Sequence, residues 1–363
     1  MRPIRTAATV ALSLASAHVA VAQDASSAPV VRAMLFSDAS YVVTDRKIPA
    51  GFALGQVVGH LIVAFNDRLN YFGEFSATAQ STGYTFEVER SILRYDFDDA
   101  IKISIGRYHT PIGYWNTAFH HGAWLQTTVS RPEMIKFGSA LLPTHFVGAF
   151  AEGNLPDDEL GLQYMIGVGN GRGNIISRAG DAGDINGSRA WTVALSARPA
   201  ALFGMQIGAD YYRDRVSPTT GPGANEGISS AYVAWQRERP EFIAEYVHID
   251  HTPFDARATT SSDAYYAQLA YRLMGVVHLW KPYVRAERTT VSASDVVFAP
   301  LALGYEGGIA GVRYDFASYA ALKTEYRREH FQTHDWSNGV YLQASFTVPD
   351  LGGGGGEHNP GQP

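Results

Sequence analysis

The chain has 363 residues, a formal net charge of −6 at pH 7 and no cysteine. Without cysteine it carries neither a disulfide scaffold nor the acylated residue of a lipoprotein, and its acidic balance makes nucleic acid a poor partner. Hydrophobic residues make up 46% of it, yet nothing after residue 22 approaches the roughly 18 consecutive apolar residues of a spanning helix.

The first residues predict export. Arg2 and Arg5 form a basic head, 6–21 is a short apolar and small-residue stretch, and Ala20-Val21-Ala22 is a small-x-small cleavage site. That pattern is a bacterial secretory signal over 1–22, cut before Gln23. Removing its two arginines leaves 27 of the 29 basic residues against 35 acidic ones, a net charge of −8 for the mature chain.

From residue 31 on, segments of about ten residues rich in β-branched and aromatic types recur. Sixteen strands are expected, at 31–43, 52–65, 70–79, 84–97, 101–109, 145–154, 160–171, 189–199, 203–214, 227–236, 241–250, 263–272, 280–288, 304–315, 318–329 and 338–348. Many alternate strictly. Trp191, Val193, Leu195 and Ala197 share one face, with Thr192, Ala194, Ser196 and Arg198 on the other; Phe203, Met205 and Ile207 oppose Gln206, Gly208 and Asp210. The strand at 84–97 changes phase near 90–93, which predicts a bulge. Twenty tyrosines and eighteen phenylalanines, many near strand ends, suit the interfacial girdles of a membrane barrel.

The connections alternate too. After even-numbered segments they are mostly tight, as at 66–68, 98–100 and 237–240; after odd-numbered ones they are mostly long, at 110–144, 172–188, 215–226, 251–262 and 289–303. A β-sandwich has no reason to sort loop length by parity. A transmembrane antiparallel β-barrel does, with short periplasmic turns and longer outer loops. The domain plan is therefore a signal peptide (1–22), a barrel (23–348) and a Gly/Pro-rich tail (349–363) that reads as a flexible linker.

The stretch "HTPIGYWNTAFHHGAW" (109–124) breaks the alternation and opens a connection of about 35 residues, far beyond an ordinary loop. Together with "ALGQVVGHLIVAFNDRLNYFGEFS", "RSILRYDFDDAIKISIGRYHTPIGYWN" and "LLPTHFVGAFAEG", it resembles bacterial outer-membrane porins, in an uncharacterised branch of the superfamily that includes the phosphate-selective porins O and P. The resemblance covers 52–153; later strands match only as generic barrel strands. It implies a sixteen-stranded, often trimeric barrel whose third outer loop folds into the lumen. The lysine and arginine constellation of the phosphate-selective members is not recognisable here.

A sixteen-stranded barrel is too wide for its own side chains to fill, and irregular backbone is tolerated in its lumen where protein or water satisfies it. The 110–144 connection, broken from its strand by Pro111 and Gly113, is accordingly expected to narrow the pore. Tyr114, Trp115, Phe119 and Trp124 would pin it by apolar contact. His109 flanks it, and His120, His121, Gln126, Arg131, Glu133 and Lys136 would face water. The alternative is a loop that caps the mouth or packs at a subunit contact. Charged strand residues should point inward, since lipid-facing charge is costly: Arg94, Lys102, Asp210, Arg285, Glu287, Lys323, Glu325 and Arg327, with Glu87 beside them. Arg107 has the wrong parity for the lumen and either snorkels or is turned by a bulge.

The expected function is passive, weakly selective diffusion of small hydrophilic solutes or ions through an outer-membrane homotrimer, with lipid and solute as partners and no cofactor. Two other readings stand: a non-conducting recognition or adhesion barrel, and an outer-membrane hydrolase. The latter needs a Ser/His/acid set, and no G-x-S-x-G occurs. His109, His120, His121 and His145 invite a metal site, but adjacent histidines on extended backbone point apart and no acidic partner is close in sequence. None is expected; they read as a polar lining that gains charge in acid.

Overall fold

The computed structural model describes residues 28–351 except 158, 185, 256 and 350. The expected signal peptide and nearly all of the tail lie outside the described residues. Sixteen strands form: β1 (Val30–Thr44), β2 (Gly51–Ala64), β3 (Leu69–Gln80), β4 (Gly83–Asp96), β5 (Lys102–His109) and β6 (His145–Asn154). There follow β7 (Gln163–Asn170), β8 (Ala190–Ala197), β9 (Met205–Val216), β10 (Ala224–Gln236) and β11 (Glu241–Pro253). The last are β12 (Thr260–Ala270), β13 (Trp280–Thr290), β14 (Tyr305–Ala317), β15 (Ala320–Phe331) and β16 (His334–Val348). The expected boundaries hold to within about four residues. Every strand pairs antiparallel with its sequence neighbours, and β1 closes on β16 from Leu35↔Val348 to Thr44↔Gly339. Closure leaves no unpaired edge, the condition for a sheet to sit in hydrocarbon.

The period of two sorts the side chains. In β13, Lys281, Tyr283, Arg285 and Glu287 are buried while Trp280 and Val284 are exposed. In β4, Phe86 is 79% exposed, and in β5 Ile105 is 64% exposed, side chains that only a lipid or partner surface would cover favourably. Aromatic pairs mark the two ends of the wall, such as Trp280 with Tyr314 at 4.6 Å and Trp191 with Tyr211 at 5.3 Å.

Two irregularities matter. The connections after β3 and β15 are two-residue turns, so the sorting of loop length by parity is a tendency. The expected phase change in β4 is a bulge: Glu74 pairs with Arg90 and Phe75 with Val88, leaving Glu89 without a residue opposite. Arg107 explains its own parity here, since its guanidinium donates to the carbonyls of Val88 and Glu89 at 2.6 Å each. It pairs with Asp181 besides, at 2.7 Å.

The interior is packed rather than open throughout. Ile112, Trp115, Met134, Ile135, Leu141 and Leu142 of the 110–144 connection form one buried cluster with Ile228, Ile243, Val247 and Tyr266 of the wall and with Val297 and Phe298 of the connection after β13.

Candidate functional site

The 110–144 connection contains one short helix, α1 (Tyr114–Ala118), and two 3-10 turns. Most of its backbone therefore lacks a helix or ladder partner, and buried N–H and C=O groups must find one. The wall supplies charge in the matching sense. Carboxylates take the N–H groups: Asp210 from Gly113 (3.1 Å), Glu245 from Tyr114 (3.0 Å) and Trp115 (2.7 Å), Glu325 from Val129 (2.9 Å), and Glu287 from Glu133 (2.5 Å).

Cations take the carbonyls. Arg285 donates to Ser130 (2.9 Å) and Arg131 (3.0 Å), Arg313 to Trp124 (2.7 Å) and Gln126 (2.8 Å), and Lys323 to Ala123 (2.5 Å) and Thr128 (3.2 Å). A segment that leaves β5 and is bonded to β9, β11, β13, β14 and β15 crosses the interior of the cylinder. Hydrogen bonds to charged groups contribute about 1.5–3 kcal/mol each, so this clamp adds to the apolar pinning expected from the sequence, in which Trp115 is buried and Tyr114 and Phe119 pack against the cluster.

Two expectations need correction. The wall charges Asp210, Arg285, Glu287, Lys323 and Glu325 do point inward, but they are buried and spent on holding the loop; Arg94, Lys102 and Arg327 remain at cavity walls. Glu87 pairs with Arg178. On the loop, His120, His121 and Gln126 do not face water but are buried. Arg131, Glu133 and Lys136, with Gln126 beside them, border a cavity of about 290 Å³ between the loop and the wall of β13–β16, β1 and β2. Its charged lining is balanced: Arg131, Lys136, Arg285 and Arg327 against Asp38, Glu133, Glu287 and Glu329. Glu241, Glu245 and Arg313 escaped the sequence reading, although in "EFIAEY" Glu241 and Glu245 share the parity of the buried face.

His109, His120, His121 and His145 converge, with ring centroids 4.0–5.7 Å apart. The turn after α1 abolishes the extended backbone on which adjacent histidines would diverge; the 120 and 121 rings lie 4.5 Å apart. An acidic partner arrives from β4: the bulged Glu89 places Oε2 at 3.0 Å from His121 Nε2 and 2.9 Å from His145 Nε2. His120 is buried with the rings of His109, His121 and His145 against it, so it is not the water-facing lining that the sequence suggested.

No family model and no curated protein matches the chain. Solved structures do. It is similar to in-vitro folded OmpT of Vibrio cholerae in its trimer form, at 13% identity over 89% of this chain and 100% of that one, with a TM-score of 0.59. The fold is that of a porin. Salmonella typhi OmpF in complex with daunomycin matches at 12% identity and TM-score 0.57, and the outer membrane channel DcaP of Acinetobacter baumannii at 11% and 0.56. Each of these two covers 88% of this chain and 97% of the matched chain.

Proposed function

We propose that the chain is an outer-membrane porin of a Gram-negative bacterium, exported by its signal peptide. In this reading it is a non-enzymatic homotrimeric channel for small hydrophilic solutes or ions, constricted by the 110–144 connection, and a divergent relative of the phosphate-selective porin O/P superfamily. The observation that carries this is the loop clamped across a closed sixteen-stranded barrel beside a charged cavity. Rings of uncompensated charge set ion preference, and here four cations face four anions, with Glu133–Lys136 at 2.5 Å and Arg285–Glu287 at 3.1 Å paired among themselves. Selectivity is therefore weak. Purified protein in a planar bilayer is expected to give steps of stable conductance, with a reversal potential near zero in asymmetric salt.

A second reading has one observation in its favour. The outer connections are packed: Arg172 is buried and bonds to Glu226 (2.9 Å) and to the carbonyls of Ala140 and Leu141 (2.8 Å each). Such a mouth suits a non-conducting recognition barrel. Silence in the bilayer assay would favour that reading over the channel.

A further inference from the structure

The histidine nest does nothing for the clamp just described, and its chemistry is unfinished. Six polar atoms there are buried without a hydrogen-bond partner: Glu89 Oε2, both ring nitrogens of His109, and Nε2 of His120, His121 and His145. Native structures leave few such groups, and each calls for an explanation. The carboxylate oxygen and two of the imidazole nitrogens are only 2.9–3.0 Å apart, yet they are not aligned as hydrogen bonds to one another.

The other ring nitrogens are already engaged. His120 Nδ1 lies 2.8 Å from Asn116 Oδ1, His121 Nδ1 3.2 Å from Gln56 Oε1, and His145 Nδ1 3.2 Å from Thr144 Oγ1. Ser76 donates to the far oxygen of Glu89 at 2.6 Å. At His120 and His121 the amide oxygen on Nδ1 sets the tautomer that leaves Nε2 bare, which is how outer-shell partners present histidine to a metal; the Thr144 hydroxyl can accept from His145 in the same sense.

We infer that Glu89, His109, His120, His121 and His145 form a binding site for a borderline first-row divalent cation of the Zn²⁺, Cu²⁺ or Ni²⁺ class. One ligand atom from each of the five residues lies within 4.8 Å of all the others. Two metal–nitrogen bonds of about 2.1 Å span about 3.4 Å at a tetrahedral angle and about 4.2 Å when opposed, so the nest closes on an ion with shifts of less than about an ångström per side chain. Imidazole with one carboxylate suits these metals rather than Ca²⁺ or Mg²⁺, which take oxygen. Glu89, and Glu74 at 3.3 Å from His109 Nε2, offset the ion's charge against the nearby Arg90, Arg107 and Arg131.

The site is structural, not a station on a solute path, because its side chains are almost wholly buried. Two ligands come from the loop; Glu89, His109 and His145 belong to β4, β5 and β6. The ion staples the loop to the wall from which it departs, and this holds whether or not the barrel conducts.

The full chain, expressed in the outer membrane, purified in detergent and stripped with a chelator, is titrated with Co²⁺ and Zn²⁺. One equivalent per chain is expected, with intense Co²⁺ ligand-field bands of a four- or five-coordinate nitrogen site. H120A/H121A should bind at least about 100-fold more weakly, and Q56A, which loses an outer-shell partner, about tenfold. Heat-modifiable gel mobility confirms that each variant is a folded barrel. In wild type, Zn²⁺ should slow tryptic cleavage after Lys136, a readout that needs no variant. The proposal falls if stripped wild type shows only the pale spectrum of hydrated Co²⁺, or if folded H120A/H121A binds as tightly as wild type.

Discussion

Gly113 turns the chain out of β5 with φ +70°, a conformation that costs a side-chain-bearing residue about 1–3 kcal/mol. A Cβ there would also stand 2.0 Å from Glu245 Oε2, the oxygen that accepts from Tyr114 N–H. G113A is therefore expected to displace the carboxylate and loosen the loop. Limited proteolysis of the folded barrel reads it as faster cleavage within 114–138, with the barrel itself intact.

Asp295, in the connection after β13, accepts from the backbone N–H groups of Val297 (2.8 Å) and Phe298 (2.7 Å), and His251 Nδ1 lies 2.8 Å away. Burial opposes its charge, but these partners outweigh it and hold its pKa below the ordinary 3.8. A depressed carboxylate stabilises fully above its unfolded pKa, and that contribution drains away as pH falls through the folded value. The stability gap between wild type and D295N should therefore be steady between about pH 5 and 6, where the histidine partner keeps its proton, and close in stronger acid. Thermal unfolding below about pH 6 checks this, and a gap that widened as the pH fell below about 5 would refute it.

At the scale of elements, strand positions were legible because each strand carries its own period of two and its own turn residues. The bulge in β4 was legible for the same reason, as a break in that period. What the bulge presents was not: Glu89 meets histidines from β5, from the loop and from β6, and no local pattern contains that meeting. The loop was visible as an interruption of roughly 35 residues. Its path was not, since its partners Glu245, Arg285 and Glu325 lie 130 to 196 positions downstream in the chain. Deleting 113–138 removes most of what fills the cylinder between them and should raise single-channel conductance severalfold. An unchanged conductance would place the restriction elsewhere.

At the scale of the molecule, closure governs everything else. Joining β1 to β16 gives each strand one dry face and one face on a shared interior, so a charge with inward parity can reach the opposite wall through the loop. That converts residues that look like an ion-selecting ring into a scaffold: Asp210, Arg285, Glu287, Lys323 and Glu325 are committed to the loop's backbone. Around the remaining cavity, Asp38, Arg327 and Glu329 of the wall and the side chains of Arg131, Glu133 and Lys136 of the loop lie outside that set, and they balance in charge.

Sixteen alternating segments, tight turns and an apolar outer face are local properties, and the amino-acid order alone determined them. Partnership across the lumen was decided only by the tertiary structure. Which carboxylate meets which N–H, and whether four histidines face water or one another, depends on where a closed sheet brings residues far apart in sequence.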